Sequence, residues 1–161
     1  MPEPVISNTS PLFYLHRLQV LDLLQKLYQR ILVPEAVVEE LKMGRSQGED
    51  VPDVTAYDWI EVRPVRTPEV IQLIPDLGAG EAQVLTLALE IPGSLVILDD
   101  RLAREFAKSQ QIRHTGTAGV LLKAKQEGHL SAVGPLLQQL IQLDFRLSDA
   151  VISAILKLAQ E

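Results

Sequence analysis

The run Ser94-Leu-Val-Ile-Leu, followed at once by Asp99 and Asp100, constrains this chain more than any other segment. An unbroken apolar run of strand length suits a strand buried on both faces, and such strands belong to parallel sheets covered by helices. In α/β proteins, ligands bind beyond the carboxyl ends of those strands. Two adjacent carboxylates at such an end are expensive unless something cationic compensates them.

The rest of the chain supplies the alternation that a parallel sheet requires. Pro4-Val-Ile-Ser-Asn-Thr-Ser reads as a short strand ending in a polar turn. Ser10-Pro11 reads as an N-cap with proline at the first helical position, and Leu12, Leu15 and Leu18 continue at helical spacing. Helix is expected over 20–28 and strand over 31–33. A further helix should start at Pro34 and reach Met43, with a polar loop over 44–53. A strand is expected over 59–62, a helix over 81–89, the main strand over 95–98 and a helix over 101–110. Ile112 to Gly116 reads as one more strand, followed by helices over 118–127, 134–143 and 148–159. The pattern predicts an α/β fold: a three-layer α/β/α sandwich on a mainly parallel central sheet of four or five strands. No repeat, linker or low-complexity segment divides it, so residues 1–161 read as one domain.

Composition narrows the chemistry. There is no cysteine, which excludes disulfides, thiolate metal sites and cysteine nucleophiles; the three histidines are widely scattered. The formal charge of −6 does not favour nucleic-acid binding through a broad basic face. It is compatible with clustered acids that hold a dication, which reverses the local sign, and it suits a basic protein partner. With no signal-like start and no apolar run of about 18 residues, a cytoplasmic location without membrane contact is expected.

Three further polar residues stand at comparable places: Asn8, Glu40 and Glu81. Glu81, Val84, Leu85 and Ala88 fall at i, i+3, i+4 and i+7, which aligns the Glu81 carboxylate with the buried stripe of its helix. A plain alternative is an acid favoured in a first helical turn by the helix dipole. Glu40 borders the apolar stripe of Val37, Val38 and Leu41, whereas Glu39 points away; Glu40 could equally be a surface acid. Asp-Asp-Arg could be no more than a turn and a helix cap. The case for a site is convergence, since a parallel sheet gathers strand ends along one edge. Mg²⁺ or Mn²⁺ would suit one or two carboxylates plus water and substrate phosphate. Arg101 and Arg104 follow the acid pair and could touch phosphate, although surface ion pairing is the commoner use.

Taken together, these residues resemble the PIN-domain ribonucleases over nearly the whole chain. Ser7-Asn-Thr-Ser-Pro-Leu, Val33-Pro-Glu-Ala-Val-Val-Glu-Glu-Leu, Gly80-Glu-Ala-Gln-Val-Leu-Thr-Leu-Ala, Val96-Ile-Leu-Asp-Asp-Arg-Leu-Ala-Arg and His114-Thr-Gly-Thr-Ala-Gly-Val-Leu occur in the family's order and spacing. The resemblance implies an Mg²⁺- or Mn²⁺-dependent endoribonuclease, in some bacterial members the toxin of a toxin–antitoxin pair. It implies RNA as substrate, a homodimer, and a basic antitoxin-like protein as partner. It assigns catalysis to Glu40, Glu81, Asp99 and Asp100, and metal binding to Asn8, Glu40, Glu81 and Asp100, with Asp100 the first choice of the adjacent pair. Ser10, Arg101 and Arg104 would meet substrate, and Thr9 and Ser10 match the family's site-ordering hydroxyl position. Asn8 stands where the family usually has aspartate. It can offer a carbonyl oxygen but no charge, so a catalytically weakened module that binds RNA or protein is the alternative.

Overall fold

A computed structural model describes residues 3–74 and 76–161. Five strands form one parallel sheet: β1 (Val5–Ser7), β2 (Ile31–Val33), β3 (Ile60–Val62), β4 (Leu95–Ile97) and β5 (Arg113–Thr115). Their order across the sheet is β3-β2-β1-β4-β5, and every neighbouring pair is parallel. The α/β architecture with a parallel central sheet is therefore as expected.

Burial explains the composition of the strands. β1, β2 and β4 are buried throughout, so they are apolar without alternation, whereas the edge strand β5 carries Arg113 and His114. The helices between strands are α1 (Thr9–Arg17), α2 (Leu23–Tyr28), α3 (Glu35–Ser46), α4 (Pro68–Ile71), α5 (Ala79–Glu90) and α6 (Arg101–Ser109). After β5 come α7 (Thr117–Gln126), α8 (Gly134–Gln142) and α9 (Asp149–Leu158). Helix α5 packs over β1 and β4 with α6 beside it, while α2 lies against β2 and contacts α7. The core runs through Ile6, Leu12, Leu15, Leu85, Leu87, Ile97, Leu98 and Leu121, all fully buried. Among the described residues, no helix is long and apolar enough to cross a membrane.

Several boundaries differ from the sequence reading for physical reasons. Helix α1 begins at Thr9, with Asn8 rather than Ser10 at the N-cap position. Pro11 then falls in the opening turn, where its missing N–H removes no intrahelical bond. Helix α3 continues to Ser46, three residues into the expected loop. The proline-rich stretch after β3 contains the short helix α4, opened by Pro68.

Strand order decides where a site can form. From β1 the chain moves outward to β2 and β3, then returns to β4 and moves the other way to β5. The switch point lies between β1 and β4, and ligands of open α/β sheets bind in the crevice outside such a point. Ser7 pairs with Ile97, and the Asn8 N–H donates to the Ile97 carbonyl at 2.9 Å. Asn8 and the pair Asp99-Asp100 therefore leave the sheet side by side.

Candidate functional site

Asn8 does not do what an N-cap residue usually does. Its side chain makes no capping bond to α1, and Oδ1 is buried without any hydrogen-bond partner. A buried unpartnered acceptor costs about 1–3 kcal/mol, so this one calls for an explanation, and a bound ion or water is one. The oxygen faces the start of α5. A Cβ on Gly80 would lie 3.0 Å from Asn8 Oδ1 and 2.0 Å from Glu40 Oε1. Glycine at this position is what lets the α5 backbone approach both oxygens.

Glu40 comes from α3, 32 residues along the chain from Asn8, and Thr9 Oγ1 donates to its Oε1 at 3.0 Å. Burial pushes the Glu40 carboxyl above its ordinary value; the Thr9 bond opposes the rise and the negative charge of Glu81 adds to it. The residue as a whole is exposed, so it is the carboxyl end, held by Thr9 despite the charge of Glu81, that is shielded from water. Glu81 lies in the first turn of α5 and folds back over Gly78, where a Cβ would sit 2.5 Å from Oε2. It also lines an open cleft of about 380 Å³ with Asn8, Ser10 and Tyr14.

The adjacent aspartates divide their work. Asp99 turns inward: Ser10 Oγ donates to Oδ2 at 2.7 Å, Thr117 Oγ1 to Oδ2 at 2.7 Å, and the Thr117 N–H to Oδ1 at 2.8 Å. It thereby ties the start of α1 to the start of α7. Asp100 is exposed and caps α6 by accepting from the Ala103 N–H at 2.9 Å, while also lining the cleft rim. Burial raises the Tyr14 hydroxyl above its ordinary value, and the charges of Asp99 and Asp144 push it the same way. The cleft is thus strongly acidic.

The structure brings Asn8, Glu81 and Asp99 together in the cleft, with Ser10 holding Asp99 and Asp100 at the rim; Glu40 lies outside the cleft, across Gly80 from Asn8. Arg101 points away to Glu105 at 3.3 Å. Arg104 lines a separate cavity on the other side of Asp99. Sequence reasoning missed Thr117, Gly80's role as a spacer, and the segment Asp144-Phe145-Arg146 that closes the cleft. Thr117 had a signal, because it follows a strand end, Thr115-Gly116, as Thr9 does. The 144–146 segment had none, being a polar turn far along the chain.

Among the described residues, no three His, Cys, Asp or Glu side chains converge tightly enough to cage a metal by themselves. Mg²⁺ does not require such a cage; it binds through one or two carboxylates and keeps several waters. A buried carbonyl oxygen without a partner, beside Glu40 and within the influence of Glu81, is a donor set of that hard, oxygen-only kind. Asn8, Glu40 and Glu81 therefore fit a divalent cation.

No curated protein sequence matches the chain. A family model described as DUF3368, a PIN domain, matches residues 4–161. Members of this family are typically nucleases and generally use divalent metals. With a match of that length, and with acids gathered at the switch point of a five-stranded parallel sheet, the chain belongs to the PIN-domain family.

Proposed function

We propose that the protein is an Mg²⁺- or Mn²⁺-dependent endoribonuclease. The observation that carries this reading is the buried, unpartnered Asn8 Oδ1 facing the same gap over Gly80 as the Glu40 carboxylate. Asn8, Glu40 and Glu81 would hold the cation. A dication held there would supply a more acidic water and charge stabilisation for the leaving oxygen of a phosphodiester. Thr9 orients Glu40, and Ser10 with Thr117 fixes Asp99 toward the cleft, so the acids are held by donors on α1 and α7. Asp100 contributes charge at the rim while capping α6. The acidic lining would repel an RNA phosphate from the bare cleft and accept it once a cation is present.

The same reading extends to a toxin-like role in the cytoplasm, with a homodimer and a basic antitoxin-like partner. The net charge of −6 suits that partner; the rest follows from the family likeness. Neutral Asn8 favours a second reading, a module that binds RNA or protein with weak metal affinity and little catalysis.

Calorimetric titration of Mn²⁺ into chelator-treated protein separates them, alongside Asn8→Asp, Asp99→Asn and Asp100→Asn. Saturable binding by the native chain, with metal-stimulated RNA cleavage that Asp99→Asn removes, supports the nuclease. Asparagine remains a good cap, so Asp100→Asn should reduce cleavage far less than Asp99→Asn. Binding gained only in Asn8→Asp supports the weakened module. Absence of binding in all four proteins defeats the metal-site reading.

A further inference from the structure

Beyond Asp99 lies a second cavity, of about 330 Å³, whose chemistry is opposite to that of the acidic cleft. Its rim carries Arg104, Arg146 and His114; its apolar wall includes Phe145, Val151 and Ile155. Among the described residues, Arg104 and Arg146, like Arg17 and Arg66, are in no ion pair, whereas Arg30, Arg45, Arg63, Arg101 and Arg113 each are. Asp99, the acid that faces this cavity, already receives Ser10 and both donors of Thr117. The two guanidiniums are therefore open to an anion from outside.

The cavity also adjoins the cleft. Asp99, Phe145 and Arg146 line both. Phe145 is held in place by an edge-on contact with Tyr14, centroids 4.9 Å apart at 86°. An aromatic ring between an acidic cleft and a basic, apolar-walled cavity matches a nucleotide: a planar base for the ring and wall, a phosphate for the arginines.

Resting on the ribonuclease reading, we propose that this second cavity is a nucleotide subsite, seating the nucleotide next to the scissile phosphate. Its base lies against Phe145 and the apolar wall, and its phosphate lies between Arg104 and Arg146. The acidic cleft needs a cation to accept RNA, but this cavity does not. The strand is thus anchored on one side of Asp99 and presented to the acids on the other. Anchorage here would let a chain of net negative charge hold RNA without a broad basic face.

The test is binding of a short fluorescein-labelled oligouridylate, followed by anisotropy in EDTA, so that neither metal nor cleavage is involved. The native protein should bind, and Arg104→Ala and Arg146→Ala should each weaken binding about tenfold and lower the salt slope by about one. Phe145→Leu, which keeps an apolar side chain against Tyr14, should weaken binding at an unchanged salt slope. Lys26→Ala, which removes an equal charge from the surface pair with Asp22, should change neither. Because both arginines are exposed, unaltered melting temperatures are expected of their variants.

Cleavage with Mn²⁺ but no RNA binding in EDTA would overturn the subsite and leave the nuclease standing. Arginine-dependent binding without cleavage under any metal would uphold nucleotide binding at this cavity but sink the nuclease, and with it the placement beside a scissile phosphate. Equal losses in Lys26→Ala, or binding of an acidic peptide in place of the oligouridylate, would overturn the nucleotide assignment.

Discussion

Two carboxylates flank helix α5, Glu40 of α3 packed against its start and Glu90 at its own end, and they are treated oppositely. Near its start, the Glu40 carboxyl shares a gap with an unpartnered Asn8 oxygen, and burial raises its pKa. At its end, Glu90 accepts from the N–H groups of Arg66 and Thr67 and from Thr67 Oγ1. Burial alone would push Glu90 up, but these hydrogen bonds and the Arg66 charge outweigh it and hold the carboxyl below its ordinary value. The helix dipole disfavours an acid at a C-terminus, so the Thr67 turn is what makes Glu90 stabilising there. One corner is satisfied and fastens the segment before α4; the other is under-satisfied and suited to meeting a cation. The difference lies in the donors that the fold supplies, not in the residue type.

Breaking the under-satisfied corner should have the largest effect. Glu40→Gln should lower metal-stimulated RNA cleavage by about 10²–10³-fold, a loss typical of removing one charge-stabilising group. Undiminished turnover would show that Glu40 is a surface acid. Gly80→Ala should come next, reducing cleavage by about tenfold to hundredfold through displacement of the Glu40 carboxylate. Its melting temperature should hardly move, because the nearest atom ends a flexible side chain, Asn8 Oδ1 at 3.0 Å need give only by a few tenths of an ångström, and alanine favours a helix. Calorimetry beside thermal melts checks both halves of this expectation.

Breaking the satisfied corner should act on stability alone. Glu90→Gln should cost about 1 kcal/mol at neutral pH, discounted for partial exposure. Since the folded carboxyl titrates below its ordinary value, its contribution is full above the ordinary carboxylate range. It fades as pH falls through the depressed value, so native and variant curves should converge in acid. Glu40→Gln in EDTA should show the smallest change, with the reverse sign. Its raised folded pKa means that the ionised form opposes folding above that value and has no such effect below the unfolded one. The variant should therefore melt slightly higher than the native chain at neutral pH, and the gain should vanish in acid. Urea titrations across pH would expose the opposite slopes, and parallel slopes would erase the contrast between the two corners.

The strands, their alternation with helices and the polar residues at the strand ends can all be read from the order of residues alone. Those are local properties: buried parallel strands need unbroken apolar runs, and amphipathic helices need periodic ones. Asn8, Glu40, Glu81 and the aspartate pair were legible because each ends a strand or borders an apolar stripe. How these groups face one another depends on packing between distant segments. Ser10 reaches Asp99 across 89 residues and Thr9 reaches Glu40 across 31, which depends on strand order rather than on local pattern. The same strand order turns Asp99 inward and leaves Asp100 to cap α6. It also diverts Asn8 from capping α1 and draws the 144–146 segment over the cleft. Adjacent residues with identical side chains acquire different roles because a strand end sends neighbouring side chains to opposite sides, and only packing says which side holds the site.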